Sequence, residues 1–268
     1  MDTQIGTFKL NNGVIIPSIG FGTSPLKDEV CYQAVRDALD AGYRHIDTAA
    51  MYLNEAAVGQ AIRDSKIPRH EIFVTSKLPA HVKNYNGTLD AFWKSLKALN
   101  LDYIDLYLIH APWPWDDQGS DHSAGNITAY LALEKLYEAN RIRAIGVSNF
   151  GPKELDNIIH NTRIIPQVNQ IKYHIGHLQE ETVLYCKQKG ILIAAYSPLG
   201  KGAVLERDDL KQMAEKYQVT PAQLGLKFIL KQEIIPLPRS KTKSRIIENA
   251  QLNFDIEKND LEILKNIK

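Results

Sequence analysis

The feature that most constrains the fold of this chain is a regular alternation of short strand-like runs with longer amphipathic stretches. Eight runs rich in apolar and β-branched residues lie at residues 18–23, 44–48, 72–77, 104–110, 142–149, 166–170, 191–197 and 234–240. Between them, stretches such as 28–42 and 129–141 carry apolar residues at helical spacing. Eight strands alternating with helices predict parallel βα units. A doubly wound sheet would alternate similarly, but near-equal units without a glycine-rich first turn favour an α/β fold of the (β/α)8 TIM barrel type.

The segment ahead of the first run, TFKLNNGVIIP at residues 7–17, predicts a β-hairpin. It places Asn12 and Gly13 between apolar flanks, and Asn-Gly is a strong hairpin turn signal. We expect this hairpin to close the amino-terminal end of the barrel. No low-complexity segment, charge block or Pro/Ser-rich linker divides the chain, so one domain over residues 1–268 is predicted.

Composition and charge narrow the class of protein. Hydrophobic residues at 44% and charged residues at 24% are ordinary globular values, and 32 basic against 31 acidic side chains leave a charge of +1. This balance gives no general attraction to nucleic acid or to an anionic membrane, so neither is expected as a partner. The amino-terminal residues lack a targeting pattern and no apolar run could span a bilayer. Two distant cysteines, Cys31 and Cys186, favour a reducing compartment. A cytoplasmic monomer is therefore expected.

Four ionisable side chains fall at or just after the carboxyl ends of three predicted strands: Asp47, Tyr52, Lys77 and His110. In a barrel these strand ends share one mouth, where the chemistry sits. A phenol is a poor acid unaided, but a nearby ammonium favours the phenolate and a carboxylate can hold that ammonium. A histidine can orient a carbonyl oxygen by hydrogen bonding. Each residue alone is more often a cap, a packing group or a surface charge; together they indicate a site that protonates an oxygen.

Seven motifs in order extend over nearly the whole chain: GYRHIDTAAMYLNEAAVG, VTSKL, LDYIDLYLIH, IRAIGVSNF, PQVNQIKYH, AYSPLG and LPRSKTKSRIIENA. Together they resemble the aldo-keto reductase family, and most of all its compact microbial, 2,5-diketogluconate reductase-like branch. The resemblance implies that Tyr52 is the general acid that protonates a substrate carbonyl, that Lys77 and Asp47 tune its pKa, and that His110 orients the substrate. It also implies hydride from NADPH and no metal.

The resemblance also implies where the cofactor lies. Ser148, Asn149 and Gln170 match positions that hold the nicotinamide carboxamide, and Tyr196 matches the aromatic residue that stacks on its ring. Glu248 and Asn249 match positions at the adenine. The remaining expected cofactor residues are Thr23, Ser197 and Leu199.

The cofactor phosphates need a different binding site, because the chain lacks the G-x-G-x-x-G motif of a Rossmann fold. The segment 237–250 places several basic or hydroxyl side chains at a predicted helix start, which favours an anion: Arg239, Ser240, Lys241, Lys243 and Arg245. A 2′-phosphate there predicts NADPH in preference to NADH. Arg239 stands where a lysine is common in the family, so the strength of that preference is not readable. A basic helix start alone is more often a solvated face.

The substrate end departs from the family pattern. Two positions that often carry tryptophan are Ser24 and Ala111 here, while Trp113 and Trp115 lie in the proline-rich loop after the fourth strand. We expect these four residues and Leu53 near the pocket, with Met51 close by; one of the tryptophans could instead pack the loop. A long carboxy-terminal loop is expected to be absent. An open pocket predicts small or polar aldehydes and ketones, including diketones, glyoxals or keto-sugars.

Two other functions remain open at this point. Lys77 could form a Schiff base in a lyase, although this leaves the motifs GVSNF and AYSPLG and the basic helix start without a role. A non-catalytic nucleotide-sensing or partner-binding protein on the same fold is the other alternative, because fold does not fix function.

Overall fold

The computed structural model describes residues 5–267, and its strands form a hairpin and an eight-stranded parallel sheet. The strands are β1 (Thr7–Lys9), β2 (Ile15–Pro17), β3 (Phe21–Gly22), β4 (His45–Asp47), β5 (Phe73–Leu78), β6 (Ile104–Ile109), β7 (Ile142–Ser148), β8 (Val168–Lys172), β9 (Leu192–Tyr196) and β10 (Ile235–Pro236). From β3 to β10, each strand pairs in parallel with the next along the chain. Each predicted run overlaps one of these strands, so the predicted alternation is confirmed.

The sheet curls until its first and last strands meet. Gly20 N donates to Pro236 O at 3.1 Å, and Gly22 N donates to Pro238 O at 3.0 Å. A Cβ at position 20 would lie 2.6 Å from both His45 Nδ1 and Leu237 Cδ2, so these side chains would have to shift, and a Cβ at position 22 would lie 3.2 Å from the backbone oxygen of Leu237. Glycine at this edge lets β3 and β10 approach and close the barrel.

The helices lie outside the sheet: α1 (Asp28–Asp40), α2 (Glu55–Asp64), α3 (Tyr85–Leu99), α4 (Ser123–Glu138), α5 (Pro152–Asn161), α6 (Glu180–Gln188), α7 (Asp208–Lys216), α8 (Pro221–Lys231), α9 (Lys243–Ala250) and α10 (Lys258–Lys265). Short 3-10 segments occur at Ala50–Tyr52, Arg69–Glu71 and Gly200–Glu206. The local sequence determines where several of these helices begin. Thr220 accepts from Gln223 N at 3.2 Å and the Gln223 side chain accepts from Thr220 N at 3.0 Å, a capping box ahead of Pro221.

Two apolar layers hold the barrel. The outer layer joins the helices to the sheet and includes Leu133, Ile145 and Phe228, all fully buried. The inner layer fills the barrel with strand residues such as Leu106 and Val168. Strands β5 and β6 are buried along their whole length, as parallel strands covered on both faces should be.

The predicted hairpin is confirmed and lies across the amino-terminal end of the barrel. Its strands pair Thr7 with Pro17, and its Leu10 and Ile16 join the inner apolar layer. The Asn11 side chain donates to Pro166 O at 3.1 Å, just before β8, and Asn12 donates to Arg143 O at 3.0 Å in β7. The hairpin therefore closes one end and leaves the carboxyl ends of the strands open.

Some local predictions differ from the structure. The small residues after Asp47 predict that Tyr52 heads a helix, but Tyr52 ends the 3-10 segment Ala50–Tyr52, because Leu53 takes a left-handed conformation with φ of 57° before α2 begins. Helix α4 starts at Ser123, ahead of the predicted amphipathic stretch. The predicted domain includes residues 1–4 and 268, which lie outside the described residues. In residues 5–267, no helix combines the length and apolar character needed to cross a membrane.

Candidate active site

A cavity of about 260 Å³ opens at the carboxyl ends of the strands. The residues lining it come from both halves of the chain: Gly22, Ser24, Asp47, Tyr52, His110, Trp115, Ser148, Asn149, Gln170, Tyr196, Ser197 and Leu237. Three of the four predicted ionisable groups therefore face one space, and the fourth, Lys77, lies directly beneath it, fully buried.

Lys77 is the centre of this arrangement. Its Nζ donates to Asp47 Oδ1 at 2.7 Å, to Thr48 O at 2.8 Å and to Tyr52 Oη at 3.4 Å. The residues come together because β4 and β5 are neighbours in the sheet and the 3-10 segment after β4 turns Tyr52 back over the strand ends. Three acceptors match the three donors of an ammonium, so the buried charge is satisfied.

Gln170, which was expected at the nicotinamide carboxamide, and Asn54, which the sequence reasoning missed, hold this arrangement in place. Asp47 accepts a second hydrogen bond at Oδ2, from Gln170 Nε2 at 2.7 Å. Asn54 accepts from Thr48 Oγ1 at 2.6 Å and donates to Thr23 O and Leu26 O at 3.2 and 2.8 Å. Asn54 lies two residues after Tyr52, and Asn is a frequent turn residue, but Thr23 and Leu26, whose carbonyls it binds, are distant in sequence.

Burial and charge set the protonation of these groups. Burial raises the pKa of the Tyr52 phenol, and the Lys77 ammonium opposes that rise. Burial lowers the pKa of Lys77, but Asp47 and Tyr52 outweigh it, so the pKa of Lys77 is raised. Lys77 is therefore an ammonium at neutral pH, which is unsuited to attack a carbonyl as a free amine.

His110 is held by ring contacts and not by hydrogen bonds to its Nδ1, which is buried and has no partner among residues 5–267. Its ring meets those of Tyr52 and Trp115 edge-on, with centroid distances of 5.7 and 5.6 Å. Burial, followed by the Lys77 charge, lowers the pKa of His110 to about 3. The imidazole is therefore neutral at physiological pH and can donate or accept one hydrogen bond in the cavity.

A second wall of the cavity is built around Asn149. Its Nδ2 donates to His110 O at 3.0 Å and Ser148 Oγ at 3.1 Å, and its Oδ1 accepts from Tyr196 Oη at 2.8 Å. Ser148 Oγ in turn donates to Gln170 O at 2.8 Å. The wall therefore combines an aromatic ring with amide and hydroxyl groups, the chemistry that a flat heteroaromatic amide would need.

The predicted basic segment lies next to β10, at the start of α9. Arg239, Lys241 and Arg245 are exposed, and none of them makes an ion pair within residues 5–267. Lys243 differs, because its Nζ lies 3.2 Å from Asp37 Oδ1. Ser240 is buried and its hydroxyl accepts from Thr242 N at 3.0 Å. Three cations without ion pairs therefore lie beside a helix start, where positive charge and free amides favour an anion.

The other predicted cofactor residues differ in whether they line the cavity. Glu248 accepts from Thr220 Oγ1 at 2.8 Å, and Asn249 is buried. Ser197 lines the cavity, but Thr23 is fully buried behind it and donates to Asp47 O at 3.0 Å. Leu199 is partly buried and its Cδ2 lies close to Gly225 on α8.

Of the predicted substrate residues, only some line the cavity. Ser24 and Trp115 line the cavity, with Trp115 40% exposed. Trp113 packs against Trp115, with centroids 5.2 Å apart, and lines a separate cavity of about 170 Å³. Ala111 is fully buried, and Leu53 is 76% exposed outside the cavity lining. Met51 is exposed beside Leu53.

No group of three or more His, Cys, Asp or Glu within the described part of the chain could hold a metal ion. What the cavity offers is a phenol, an ammonium, a carboxylate, a neutral imidazole and an aromatic wall. Such a set can move a proton to or from an oxygen atom.

Comparisons with known proteins agree on one family. The profile of the Aldo/keto reductase family matches residues 5–268. A glyoxal reductase of Bacillus subtilis is 42% identical over 258 residues, which cover 96% of this chain and 90% of that protein. An aldo/keto reductase structure from Brucella melitensis superposes with a TM-score of 0.93 at 39% identity, covering 99% of this chain and 100% of the other. A Bombyx mori aldo-keto reductase in complex with NADP gives a TM-score of 0.89 at 33% identity, covering 98% and 92%.

Proposed function

The chain belongs to the aldo/keto reductase family, and from this premise we propose that Tyr52 is the proton donor of an enzyme that reduces small, polar aldehydes and ketones. NADPH-dependent carbonyl reduction is supported by the family match, the glyoxal reductase relative and the NADP-bound neighbour. The (β/α)8 barrel is the fold of these relatives.

One observation carries the assignment of Tyr52. Its phenol oxygen lies 3.4 Å from the Lys77 ammonium, which Asp47 holds at 2.7 Å beneath a cavity large enough for a small molecule. Because burial raises the pKa of Tyr52, the phenol keeps its proton at neutral pH. When that proton moves to a substrate oxygen, Lys77 stabilises the phenolate left behind. The neutral His110 donates a hydrogen bond that orients the same oxygen.

The residues present fit a nicotinamide cofactor. NADPH, when bound, supplies the hydride. The aromatic ring of Tyr196, with the amide and hydroxyl groups of Ser148 and Gln170, would receive the nicotinamide end. The unpaired cations Arg239 and Arg245 would receive a 2′-phosphate.

The preference for small, polar carbonyls rests on the mouth of the cavity. Ser24 and Trp115 leave a volume of about 260 Å³, part of which the cofactor would occupy. The glyoxal reductase relative acts, by its name, on a small dialdehyde. Glyoxals, diketones and keto-sugars are therefore the first compounds to try.

The test is NADPH absorbance at the nicotinamide band, followed with a panel of small aldehydes, diketones and keto-sugars. Tyr52→Phe should reduce kcat about a hundredfold or more and leave the Kd for NADPH unchanged, because it removes only the acid. Tyr85→Phe, at the start of α3 and outside the cavity, is the matched control and should retain parental rates. A Tyr52→Phe variant as fast as the parent would refute the role of Tyr52.

Two other results would favour the remaining alternatives, a nucleotide sensor and a lyase. NADPH binding without turnover of any compound in the panel would favour a nucleotide sensor. A substrate trapped on Lys77 by borohydride would favour a lyase, which the three hydrogen bonds of Lys77 Nζ argue against.

We further propose that the protein is a monomer in the cytoplasm. The compartment is in keeping with Cys31 and Cys186, which are buried free thiols. Size-exclusion chromatography tests the monomer.

A further inference from the structure

Three consecutive backbone carbonyls in the loop after β6 each accept a hydrogen bond from a side chain. The pairs are His110 O with Asn149 Nδ2 at 3.0 Å, Ala111 O with Lys83 Nζ at 2.7 Å, and Pro112 O with Asn126 Nδ2 at 2.8 Å. The donors come from three separate segments of the chain. Loop carbonyls are ordinarily solvated, so a run held in this way is a constrained piece of backbone.

Lys83 and Asn126 also bond to each other, since Lys83 Nζ donates to Asn126 Oδ1 at 2.7 Å. Asn126 is 3% exposed. Gly125 permits the approach, because a Cβ there would lie 2.8 Å from Lys83 Cβ and 3.0 Å from Lys83 O. Burial lowers the pKa of Lys83 to about 8, so the ammonium is partly desolvated to reach these oxygens. Lys83 is therefore part of a packed contact between its own loop, the loop after β6 and the start of α4, and not a solvated surface charge.

The constrained backbone begins at His110 and ends three residues before Trp115, and both of these side chains line the cavity. His110 Nδ1 has no hydrogen-bond partner among residues 5–267, and the contacts of its ring include the edge-on packing of Trp115. The angle of the imidazole therefore depends on where the loop places both its own backbone and Trp115. A displaced loop would change the direction in which His110 donates.

We propose that Lys83 and Asn126, here called the loop clamp, are positioning residues that hold His110 and Trp115 in the geometry needed for carbonyl reduction. The inference rests on the function proposed above and adds to it two residues outside the cavity lining. Misplacing an orienting group by about 1 Å can reduce a rate by up to about a hundredfold. Apart from Thr23, the residues expected to hold the cofactor lie on β7 to α9, and none of them bonds to Lys83 or Asn126, so the affinity for the cofactor should not depend on the clamp.

The first test separates positioning from general stability. In Lys83→Met, kcat/KM for a small aldehyde should fall about tenfold, while the Kd for NADPH, from quenching of protein fluorescence, stays within about twofold of the parent. Lys83→Arg should restore most of the rate, because it retains donors. Asn126→Leu should resemble Lys83→Met, and the double variant should be no slower than the slower single one, because the two residues act as a unit. Lys94→Met, an exposed lysine on α3, is the control.

A second test does not depend on turnover. The chain has three tryptophans, so Trp93→Phe with Trp113→Phe leaves Trp115 as the sole tryptophan fluorophore. Adding Lys83→Met should then increase acrylamide quenching of Trp115, with the far-UV circular dichroism unchanged; Lys83→Gln replaces it if Lys83→Met does not fold. Unchanged quenching, unchanged kcat/KM, or a loss of NADPH affinity in step with kcat/KM would each overturn the clamp. If the parent turns over no carbonyl, only the proposed function fails, and the quenching still decides the clamp.

Discussion

At the scale of single residues, the candidate site depends most on Lys77. A buried ammonium is unstable without partners, and this one has a carboxylate, a backbone carbonyl and a phenol around it. The lysine was expected to lower the pKa of Tyr52. In the structure burial has the larger effect, so the phenol keeps its proton at neutral pH, as the proposed donor must, and Lys77 would stabilise the anion left after proton transfer.

A prediction at the scale of single residues concerns Arg239. Arg239→Ala should raise the KM for NADPH at least about tenfold and that for NADH little, because only NADPH carries the 2′-phosphate that a guanidinium can bind in a bidentate manner. Steady-state kinetics with both cofactors measure the two values. Lys258→Ala, an exposed cation on α10, serves as the control. Equal effects on the two cofactors would remove Arg239 from phosphate recognition.

At the scale of elements, the barrel follows from local sequence while the loops do not. Strand runs and helical spacing are properties of neighbouring residues, so eight strands and the hairpin were predictable. The loops depend on hydrogen bonds between distant residues: Lys83 and Asn126 are 43 apart, and Asn54 reaches a carbonyl 31 residues away. No spacing rule connects such pairs. For the same reason the strand-end groups at the mouth could be anticipated, but not the different locations of Trp113 and Trp115.

Packing between helices gives a prediction about Gly59 on α2. A Cβ at this position would lie 1.9 Å from Leu99 O at the end of α3, and a backbone carbonyl cannot rotate away as a side chain does. Gly59→Ala should therefore destabilise the fold by about 2 kcal/mol and lower Tm by roughly 5 °C.

Gly225 on α8 is the matched control for Gly59. A Cβ there would meet only the flexible Leu199 and Val204 side chains, at 3.3 and 3.8 Å. Gly225→Ala should change stability by less than about 1 kcal/mol, because the gain in helix propensity offsets the crowding. Thermal denaturation followed by circular dichroism compares the two variants. Similar losses would show that the α2 to α3 contact can relax.

At the scale of the whole molecule, the barrel separates its supports from its chemistry. The hairpin and the inner apolar layer occupy one end, while the cavity and its ionisable groups occupy the other. Charged groups at the open end nevertheless affect stability, because Lys77 and its surroundings also keep two histidines neutral. Burial, then the charge of Lys77, lowers the pKa of His45 and of His110 to about 3.

This arrangement predicts a pH dependence of folding. An unfolded histidine takes up a proton near pH 6.5, whereas His45 and His110 in the fold do so only near pH 3. Their contribution to the free energy of unfolding is therefore complete above pH 6.5 and is lost as the pH falls, at about 1.4 kcal/mol per pH unit for each. Glu55, whose pKa burial raises, acts in the opposite direction.

Urea denaturation between pH 7 and pH 5 measures this slope. His45→Gln should reduce the slope by about 1 kcal/mol per pH unit, and the exposed His70→Gln should leave it unchanged. Activity is not needed for this comparison. Equal slopes in all three proteins would contradict the lowered pKa of His45, because they would show that folding does not change its proton uptake between pH 7 and pH 5.

The hydrogen bond from Gln170 to Asp47 joins residues 123 positions apart, on strands β8 and β4, which are not neighbours in the sheet. A proteolytic cut between them that let the pieces separate would therefore part Asp47 from Gln170, and with them the proton-donating end from the aromatic wall. A chain whose pieces separated in this way would lose its activity in full and not in part. The catalytic rate of a preparation should then fall in proportion to the fraction of chains whose two parts have separated.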